Sequence, residues 1–200
     1  MDGEVGTYDA VVLAGGTARR FGGATDKVAL EVDGTALLDR VLDGCAGART
    51  TVVVGPRRPT HRPVSWVREQ PPGGGPVAAV AAALPSVTAD RILLLAADLP
   101  FFGPATAALL LRELAGEVDA AVLVDADGRD QPLAAAYRTG PLLAALAALG
   151  DPAGLPLRRL VGGLTIRRIP DADGAALDCD TWEDLARARA HARARAPRGK

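Results

Sequence analysis

The sequence predicts a three-layer α/β domain built around a mostly parallel sheet. Short runs rich in Val, Ile and Leu, bounded by Gly, Pro or Asp, are typical of strands that are buried on both faces. Ala-rich or amphipathic segments alternate with them, as the covering helices of such a sheet do. Ligands of these sheets bind beyond the carboxyl ends of the strands. The runs are YDAVVLAG, RTTVVVG, VSWVRE, DRILLLAAD, DAAVLVDA and LTIRRI.

Four segments predict helices. Three lie between the strands, over residues 35–46, 77–84 and 104–115, and the last begins with Pro104, which suits a first helical turn. A closing helix is expected to begin at Asp180 or Thr181, because acidic residues follow three positions later as in a capping box. Its arginines predict a solvated surface helix rather than a nucleic-acid site, since no aromatic platform accompanies them.

Composition indicates one globular domain. The chain has 200 residues, of which 48% are hydrophobic and 24% charged, with a formal net charge of −1. We expect one domain over residues 1–200, with a core over 8–190 and a basic tail over 191–200. Cys45 and Cys179 are too few for a disulfide framework or a thiolate metal cluster, and are predicted to be small buried hydrophobes in a reducing cytosol.

Nothing in the chain predicts export or membrane contact. The start, MDGEVGTYDA, is acidic and lacks the basic region and apolar core of a secretory signal. The most apolar stretches are shorter than the roughly 20 residues that span a bilayer. We therefore expect a cytoplasmic protein without a membrane or nucleic-acid partner.

A loop rich in glycine and cations follows the first predicted strand. Glycine lets the main chain approach a phosphate group closely, and arginine and lysine supply the opposite charge. A triphosphate is the simplest ligand for such a loop. Its residues do not match a Walker loop, which needs Ser or Thr after Gly-Lys, or the dinucleotide pattern Gly-x-Gly-x-x-Gly. The residues concerned are Gly15, Gly16, Arg19, Arg20, Gly22, Gly23 and Lys27.

A single carboxylate ends the most apolar run. In RILLLAADLP, Asp98 follows the strand and Pro100 restricts the turn beyond it. Carboxylate oxygens are preferred ligands of hard cations such as Mg²⁺. Alone, Asp98 would suit a turn or a helix cap equally well, and the phosphate-type loop favours metal binding.

The segment LAGGTARRFGGATDK resembles the signature of MobA-type molybdenum cofactor guanylyltransferases, in the Rossmann-like nucleotidyltransferase superfamily. Leu13, Ala14, Gly15 and Gly16 match it directly, while Arg20 and Lys27 take its arginine and lysine. Phe21 replaces the usual Met, and Ala24-Thr25 lengthens the loop by one residue. The resemblance implies a fold of the nucleotide-diphospho-sugar transferase type. It also implies nucleotide binding by all six matching residues, with Arg20 and Lys27 acting in catalysis.

Other segments resemble the family in the same order along the chain. ADLP is similar to its Asp-x-Pro motif, which implies that Asp98 is catalytic, contacts the nucleotide and binds Mg²⁺. Glu69, in REQPPGGGPVAAV, occupies the position of the family's nucleotide-contacting acid. RDQPLAAAYR resembles the strand around Gln-Pro-Leu and implies that Gln131 lies near the substrate.

The closing motif departs from the family. LDCDTWEDL has Asp178 and Asp180 where asparagines are usual, and Trp182 in place of proline. The Asp-x-Asp-Thr ending is closer to the cytidylyltransferases of the same cofactor pathway. Asp180 suits either a second metal ligand or a helix cap. Against cytidylyl transfer, the first loop has Ala14-Gly15-Gly16, whereas those relatives usually carry Ala-Ala-Gly.

The resemblance implies a Mg²⁺-dependent transfer of GMP from GTP to the phosphate of molybdopterin, with release of pyrophosphate. It also implies transient contact with other proteins of the cofactor pathway. Arg158 and Arg159 are candidate acceptor contacts, or else part of a solvated helix face. The alternatives are a cytidylyltransferase for the same cofactor, a sugar-phosphate nucleotidyltransferase, and a nucleotide-binding module without turnover.

Overall fold

The computed structural model describes residues 6–16 and 26–195, and in it a seven-stranded sheet lies between two layers of helices. The described residues form nine strands, of which β2 and β3 pair separately from the seven-stranded sheet. The strands are β1 (Asp9–Leu13), β2 (Glu31–Val32), β3 (Thr35–Ala36), β4 (Thr51–Val54), β5 (Ser65–Val67), β6 (Arg91–Ala96), β7 (Ala120–Val124), β8 (Asp130–Arg138) and β9 (Ile166–Pro170). The sheet order is β5-β4-β1-β6-β8-β7-β9. Only β8 is antiparallel to its two neighbours. The predicted three-layer α/β fold is confirmed.

Each of the six predicted runs contains a strand, and burial explains their composition. In β1, the side chains of Ala10 and Val12 pack into the core on one face, while Val11 packs into the core on the other. All three residues are fully buried, so an uninterrupted apolar run is what this position requires. The sequence indicated β8 only through the resemblance around Gln131.

Helices cover both faces of the sheet. They are α1 (Leu37–Gly44), α2 (Gly75–Ala83), α3 (Pro104–Glu113), α4 (Thr139–Leu149), α5 (Leu157–Val161) and α6 (Trp182–Arg195). The core on the face of Ala10 and Val12, here called the first core, contains side chains of α1 and α3. The core on the face of Val11, the second core, contains side chains of α2, α4 and α5. As predicted, α3 begins at Pro104, while α2 begins two residues earlier than expected, with Pro76 in its first turn.

The prediction of a helix over residues 35–46 was wrong at its start. Thr35 and Ala36 form β3, which pairs with β2 in an antiparallel hairpin, so α1 begins only at Leu37. Asp33 and Gly34 join the two strands with positive φ angles of 53° and 73°. Asp-Gly is a favoured sequence for such a two-residue turn. The hairpin contributes to a third apolar cluster, which includes Val32, Leu37, Cys179, Leu185 and Ala188.

The start of α6 is held by a reciprocal pair of hydrogen bonds. The amide of Asp184 donates to Thr181 Oγ1 (3.1 Å), and the amide of Thr181 donates to Asp184 Oδ2 (2.8 Å). Thr181 is therefore the capping residue, and Asp180, the other candidate cap, precedes it. Cys45 and Cys179 are free and buried, as expected. Across the described residues, no helix combines the length and apolar character that a membrane span requires.

Candidate active site

An ammonium group and two carboxylates meet at the carboxyl edge of the sheet. Lys27 Nζ lies 2.5 Å from Asp180 Oδ1 and also forms an ion pair with Asp98 Oδ2. The side chains of Lys27 and Asp98 are mostly buried, with exposed fractions of 17% and 14%, while that of Asp180 is 42% exposed. The structure thus brings together three residues that are separated by up to 153 positions in the chain.

Local structure explains why these groups meet. Asp98 follows β6 by two residues, and its backbone carbonyl accepts a hydrogen bond from the amide of Cys179 (3.1 Å). This bond fixes the segment before α6 against the end of β6, with Asp180 one residue beyond. Lys27 begins a short 3-10 turn, Lys27–Ala29, whose Val28 is buried in the first core. Each side chain therefore comes from backbone that is anchored nearby.

The charges at this site perturb one another. Burial lowers the pKa of Lys27, but the charges and hydrogen bonds of Asp98 and Asp180 outweigh it and raise that pKa above its ordinary value. Asp178 lies in the same field. Partial burial of its carboxyl raises its pKa, the negative charges of Asp180 and Asp98 raise it further, and Lys27 opposes both effects. The site holds an excess of negative charge that a further cation would relieve.

The chemistry of this group fits a hard cation that is shared with a substrate. Mg²⁺ is usually held by one or two carboxylates together with substrate phosphates, rather than by a cage of protein ligands. Asp98 and Asp180 offer two carboxylates at a point that the Lys27 ammonium contacts. In the described part of the chain, no group of three or more His, Cys, Asp or Glu side chains has the arrangement of a metal cluster.

The described flank of the glycine loop leaves the sheet next to the strand that leads to Asp98, because the amide of Ala97 donates to the carbonyl of Leu13 (3.1 Å). The amide of Ala14 donates to the carbonyl of Val54 (2.8 Å), which continues the ladder of β1 one residue past Leu13. Gly15 and Gly16 are exposed, and Gly16 has a φ of 127°, which a residue with a Cβ rarely adopts. Arg20 lies outside the described residues, as do Arg19, Gly22 and Gly23.

Glu69 is a buried acid beside Gly15. Its residue exposure is 8%, and its Oε1 accepts a hydrogen bond from the amide of Gly73 (3.0 Å). A Cβ added to Gly15 would lie 3.8 Å from this same oxygen, so the carboxylate borders the loop. Among the described atoms, the buried Oε2 of Glu69 has no hydrogen-bond partner. A buried carboxylate oxygen without a donor is costly, and a ligand with N–H groups would satisfy it.

Comparison with known protein families agrees with the resemblance found in the sequence. Residues 10–167 match the model of the MobA-like NTP transferase domain. The chain belongs to this family. The match extends from β1 into β9 and contains Lys27, Glu69 and Asp98, whereas Asp178 and Asp180 lie beyond it.

Curated relatives of the MobA-like family are modestly similar to this chain. A probable molybdenum cofactor guanylyltransferase from Synechococcus elongatus is 41% identical over 101 residues, which are 46% of this chain and 51% of that protein. A molybdenum cofactor guanylyltransferase from Shewanella halifaxensis is 30% identical over 131 residues, covering 62% and 64% of the two chains. The chain thus spans about half the length of the first of these relatives.

Solved structures share the MobA-like fold at low identity. Molybdopterin-guanine dinucleotide biosynthesis protein A from Archaeoglobus fulgidus has a TM-score of 0.69 and 22% identity, over 93% of this chain and 99% of that one. The 2-C-methyl-D-erythritol 4-phosphate cytidylyltransferase from Thermus thermophilus has a TM-score of 0.71 and 20% identity, over 94% and 100%. These likenesses show the fold alone.

The structure also shows the surroundings of three further predicted residues of this MobA-like chain. The amide of Gln131, at the start of β8, donates from Nε2 to Asp125 Oδ2 (2.7 Å). Arg158 and Arg159 are exposed on α5, as the surface-helix alternative expects.

Gly55 and Arg58, in the loop that follows β4, were not predicted as site residues from the sequence. Gly55 has a φ of 148°, and a Cβ there would lie 2.8 Å from the carbonyl oxygen of Ala14. Arg58 contacts both Ala14 and Asp26. Gly55 carries a recognisable signal, a glycine at the end of an apolar strand, but the partners of Arg58 depend on the folded loop.

Proposed function

We propose that this protein is a Mg²⁺-dependent nucleotidyltransferase that moves GMP from GTP to the terminal phosphate of molybdopterin. The observation that carries the proposal is the contact of Lys27 with Asp98 and Asp180, at the sheet edge where β6 ends next to β1 and the glycines that follow it. Membership of the MobA-like family and the names of the curated relatives support the choice of substrates.

The reaction needs positioning and charge stabilisation more than covalent chemistry by the protein. An oxygen of the acceptor phosphate attacks the α-phosphorus of GTP and forms a new P–O bond. The bond from the α-phosphorus to the oxygen bridging it to the β-phosphate breaks, and pyrophosphate leaves with that electron pair. No group of the protein has to act as nucleophile.

The residues of the loop would hold the triphosphate. Backbone amides at Gly15 and Gly16 are suited to phosphate oxygens, since both residues are exposed at the edge of the sheet. Leu13 and Ala14 would set the position of the loop where it leaves β1. Lys27 would neutralise charge on the phosphates, together with Arg20 from the part of the loop outside the described residues.

Asp98 and Asp180 would hold Mg²⁺, which when bound supplies positive charge to the phosphate oxygens during the transfer. Lys27 contacts the same two carboxylates, so its ammonium would lie beside the metal and the phosphates that they hold. Asp98 is the more buried of the two carboxylates and the better fixed, so we assign it the principal role.

The preference for guanine would come from Glu69. Its Oε2 is buried and without a donor among the described atoms, and its Oε1 is engaged by Gly73. Guanine offers an amide N–H and an amino group on one edge, which a carboxylate oxygen can accept. Cytosine has a single exocyclic amino donor. The carboxylate can accept both guanine donors, one at Oε2 and one at the second lone pair of Oε1, so this buried acid supports GTP over CTP.

Cytidylyl transfer to the same cofactor is the second candidate. The observation in its favour is that Asp180, from the Asp-x-Asp-Thr ending, contacts Lys27 within the site. A non-catalytic binding role has less support, because the cation and the carboxylates needed for catalysis are present together. Sugar-phosphate transfer would use the same groups and has less support because the curated relatives are named molybdenum cofactor guanylyltransferases. We also propose a cytoplasmic location, and we assign the exposed Arg158 and Arg159 to a solvated helix face.

Calorimetric titration of the purified protein with GTP, CTP and ATP, each with Mg²⁺, tests the nucleotide. GTP should bind at least tenfold more tightly than CTP. A preference for CTP would favour the second candidate, and absence of binding by all three would contradict nucleotidyl transfer.

A further inference from the structure

Arg58 connects the two described flanks of the glycine loop. Its Nε donates to Asp26 Oδ2 (2.5 Å), directly before Lys27, and its Nη1 lies 3.4 Å from the carbonyl oxygen of Ala14, directly before Gly15. Nη1 also donates to the carbonyl of Pro56 (2.8 Å), which fixes the side chain to its own loop. One guanidinium group therefore joins the place where the chain leaves β1 to the place where it reaches Lys27.

These contacts differ from an ordinary surface ion pair. Exposed ion pairs contribute little to stability, because water screens them and both side chains lose freedom. The side chain of Arg58 is only 19% exposed, although Asp26 is 44% exposed. A planar guanidinium can also donate in several fixed directions at once, which a lysine ammonium on a flexible chain does less well.

The loop that carries Arg58, residues 55–64, is itself anchored to the body of the domain. His61 contacts Asp39 through Nδ1 (2.7 Å) and Asp43 through Nε2 (2.8 Å), both on α1. Arg62 donates to the carbonyl of Leu42 near the end of the same helix (3.2 Å). These contacts hold the 55–64 loop against α1, so the backbone of Arg58 is anchored where its side chain extends to the flanks of the glycine loop.

The first residue of the 55–64 loop brings it close to the glycine loop. The amide of Gly55 donates to the carbonyl of Val67 (3.0 Å), and its φ of 148° turns the chain over Ala14. A Cβ at Gly55 would lie 2.8–3.0 Å from backbone atoms of Ala14 and Gly15. This approach places the guanidinium of Arg58 within reach of both flanks.

We propose that Arg58 is a positioning residue that sets the spacing of the two flanks of the glycine loop and, through Asp26, the location of Lys27. This inference rests on the proposed function, in which the loop and Lys27 receive a nucleoside triphosphate. Because Arg58 would hold the two described flanks at their spacing, binding of the triphosphate would lose less entropy.

Four variants test the proposal: Arg58→Ala, Arg58→Lys, Asp26→Asn, and the double variant of Arg58→Ala with Asp26→Asn. Arg57→Ala is the matched control, because Arg57 is the exposed neighbour in the same loop. Each is compared with the unchanged protein by calorimetric titration with Mg²⁺-GTP, by thermal melting, and by hydrogen exchange of residues 13–16 and 26–30 without ligand.

Arg58→Ala should weaken GTP binding about tenfold and speed exchange at both flanks, with a melting temperature close to that of Arg57→Ala. Arg58→Lys should lie between Arg58→Ala and the unchanged protein. The double variant should lose no more affinity than the worse single variant, because both changes break one connection. Unchanged affinity in Arg58→Ala, or fully additive losses in the double variant, would overturn the proposal.

The exchange measurement separates this proposal from the proposed function. If the unchanged protein bound none of the nucleotides, nucleotidyl transfer would be contradicted, and exchange at the flanks alone would decide whether Arg58 sets their spacing. Faster exchange with unchanged GTP affinity would make Arg58 a structural contact and overturn its positioning role.

Discussion

Lys27 provides the most direct test among single residues, because its ammonium contacts both carboxylates of the proposed metal site. Replacing it with Ala should lower kcat/KM for pyrophosphate release by an amount equivalent to about 2–4 kcal/mol of transition-state stabilisation, comparable to the loss of one preorganised donor. Steady-state kinetics with GTP, Mg²⁺ and acceptor measures this loss. An unchanged kcat/KM would remove Lys27 from the proposed mechanism.

A second measurement on the same variant controls for misfolding. Without the ammonium, Asp98 and Asp180 lack the cation that contacts them both, so Lys27→Ala should bind Mn²⁺ more tightly than the unchanged protein in the absence of nucleotide. Paramagnetic resonance of free Mn²⁺ measures this affinity. A misfolded variant would lose both the kinetic activity and the metal binding.

Glu69 tests base recognition. Glu69→Gln keeps an acceptor for the amide of Gly73 but replaces the other carboxylate oxygen with an amino group, which cannot accept from guanine. GTP affinity should fall about tenfold while CTP affinity changes little, since one charge-assisted hydrogen bond is worth roughly 1.5–3 kcal/mol. Titration of both nucleotides checks this. Equal loss for GTP and CTP would mean that Glu69 does not discriminate between bases.

At the level of residues, the sequence is most informative where chemistry and local sequence coincide. Lys27 and Asp98 are close because the phosphate-type loop follows β1 and the acid follows β6, and these two strands are parallel neighbours. The resemblance to a known signature also indicated both residues. For Asp180 the sequence left capping and metal binding open; Thr181 forms the cap, Asp180 contacts Lys27, and metal binding by Asp180 stays a prediction. Arg58 was missed because its partners are 44 and 32 positions away and carry no local pattern.

Among the secondary-structure elements, the hairpin of β2 and β3 lies partly where the sequence predicted the start of a helix. Each strand has two residues, too few for alternation of polar and apolar side chains to be recognised. Thr35 and Ala36 therefore seemed to continue the amphipathic pattern of α1. The Asp33-Gly34 turn was the available signal, since this pair favours positive φ angles in a tight hairpin.

The side chain of Asp9 connects the start of β1 to the segments that precede β4 and β6. Its carboxylate is fully buried and accepts hydrogen bonds from the amides of Thr50, Thr88 and Ala89, and from Arg49. Burial alone would raise its pKa, but these donors outweigh burial and lower it. Asp9→Asn should therefore reduce the free energy of unfolding at neutral pH by about 3 kcal/mol, as for a broken buried pair.

The contribution of Asp9 should depend on pH in one direction. Because its pKa is lower in the folded protein, the stabilisation is present above the unfolded value near 4 and is lost as the pH falls through the folded value. Urea unfolding from pH 7 to pH 3 should show the unchanged protein and Asp9→Asn converging in acid. Asp90→Asn, at an exposed position before β6, is the control. A constant difference across this range would contradict the account.

For the whole molecule, the parallel sheet explains why the site combines distant residues. Strands that share a direction end at one edge, so the residues after β1, β5 and β6 come together there, and the segment before α6 joins them through the bond from Cys179 to Asp98. Alternation of apolar runs and helices predicted this architecture. It did not predict the nucleotide, because a guanine-pathway protein and a cytidylyltransferase share the fold at TM-scores of 0.69 and 0.71.

Transfer of labelled nucleotide to molybdopterin tests the central claim most directly. The purified protein would be incubated with Mg²⁺, molybdopterin and GTP or CTP labelled at the α-phosphate, with Asp98→Asn as the control. We expect label in the cofactor and equimolar pyrophosphate with GTP, at least tenfold less product with CTP, and none with Asp98→Asn despite an unchanged melting temperature. Product from CTP in preference to GTP, or transfer by Asp98→Asn near the unchanged rate, would contradict this claim.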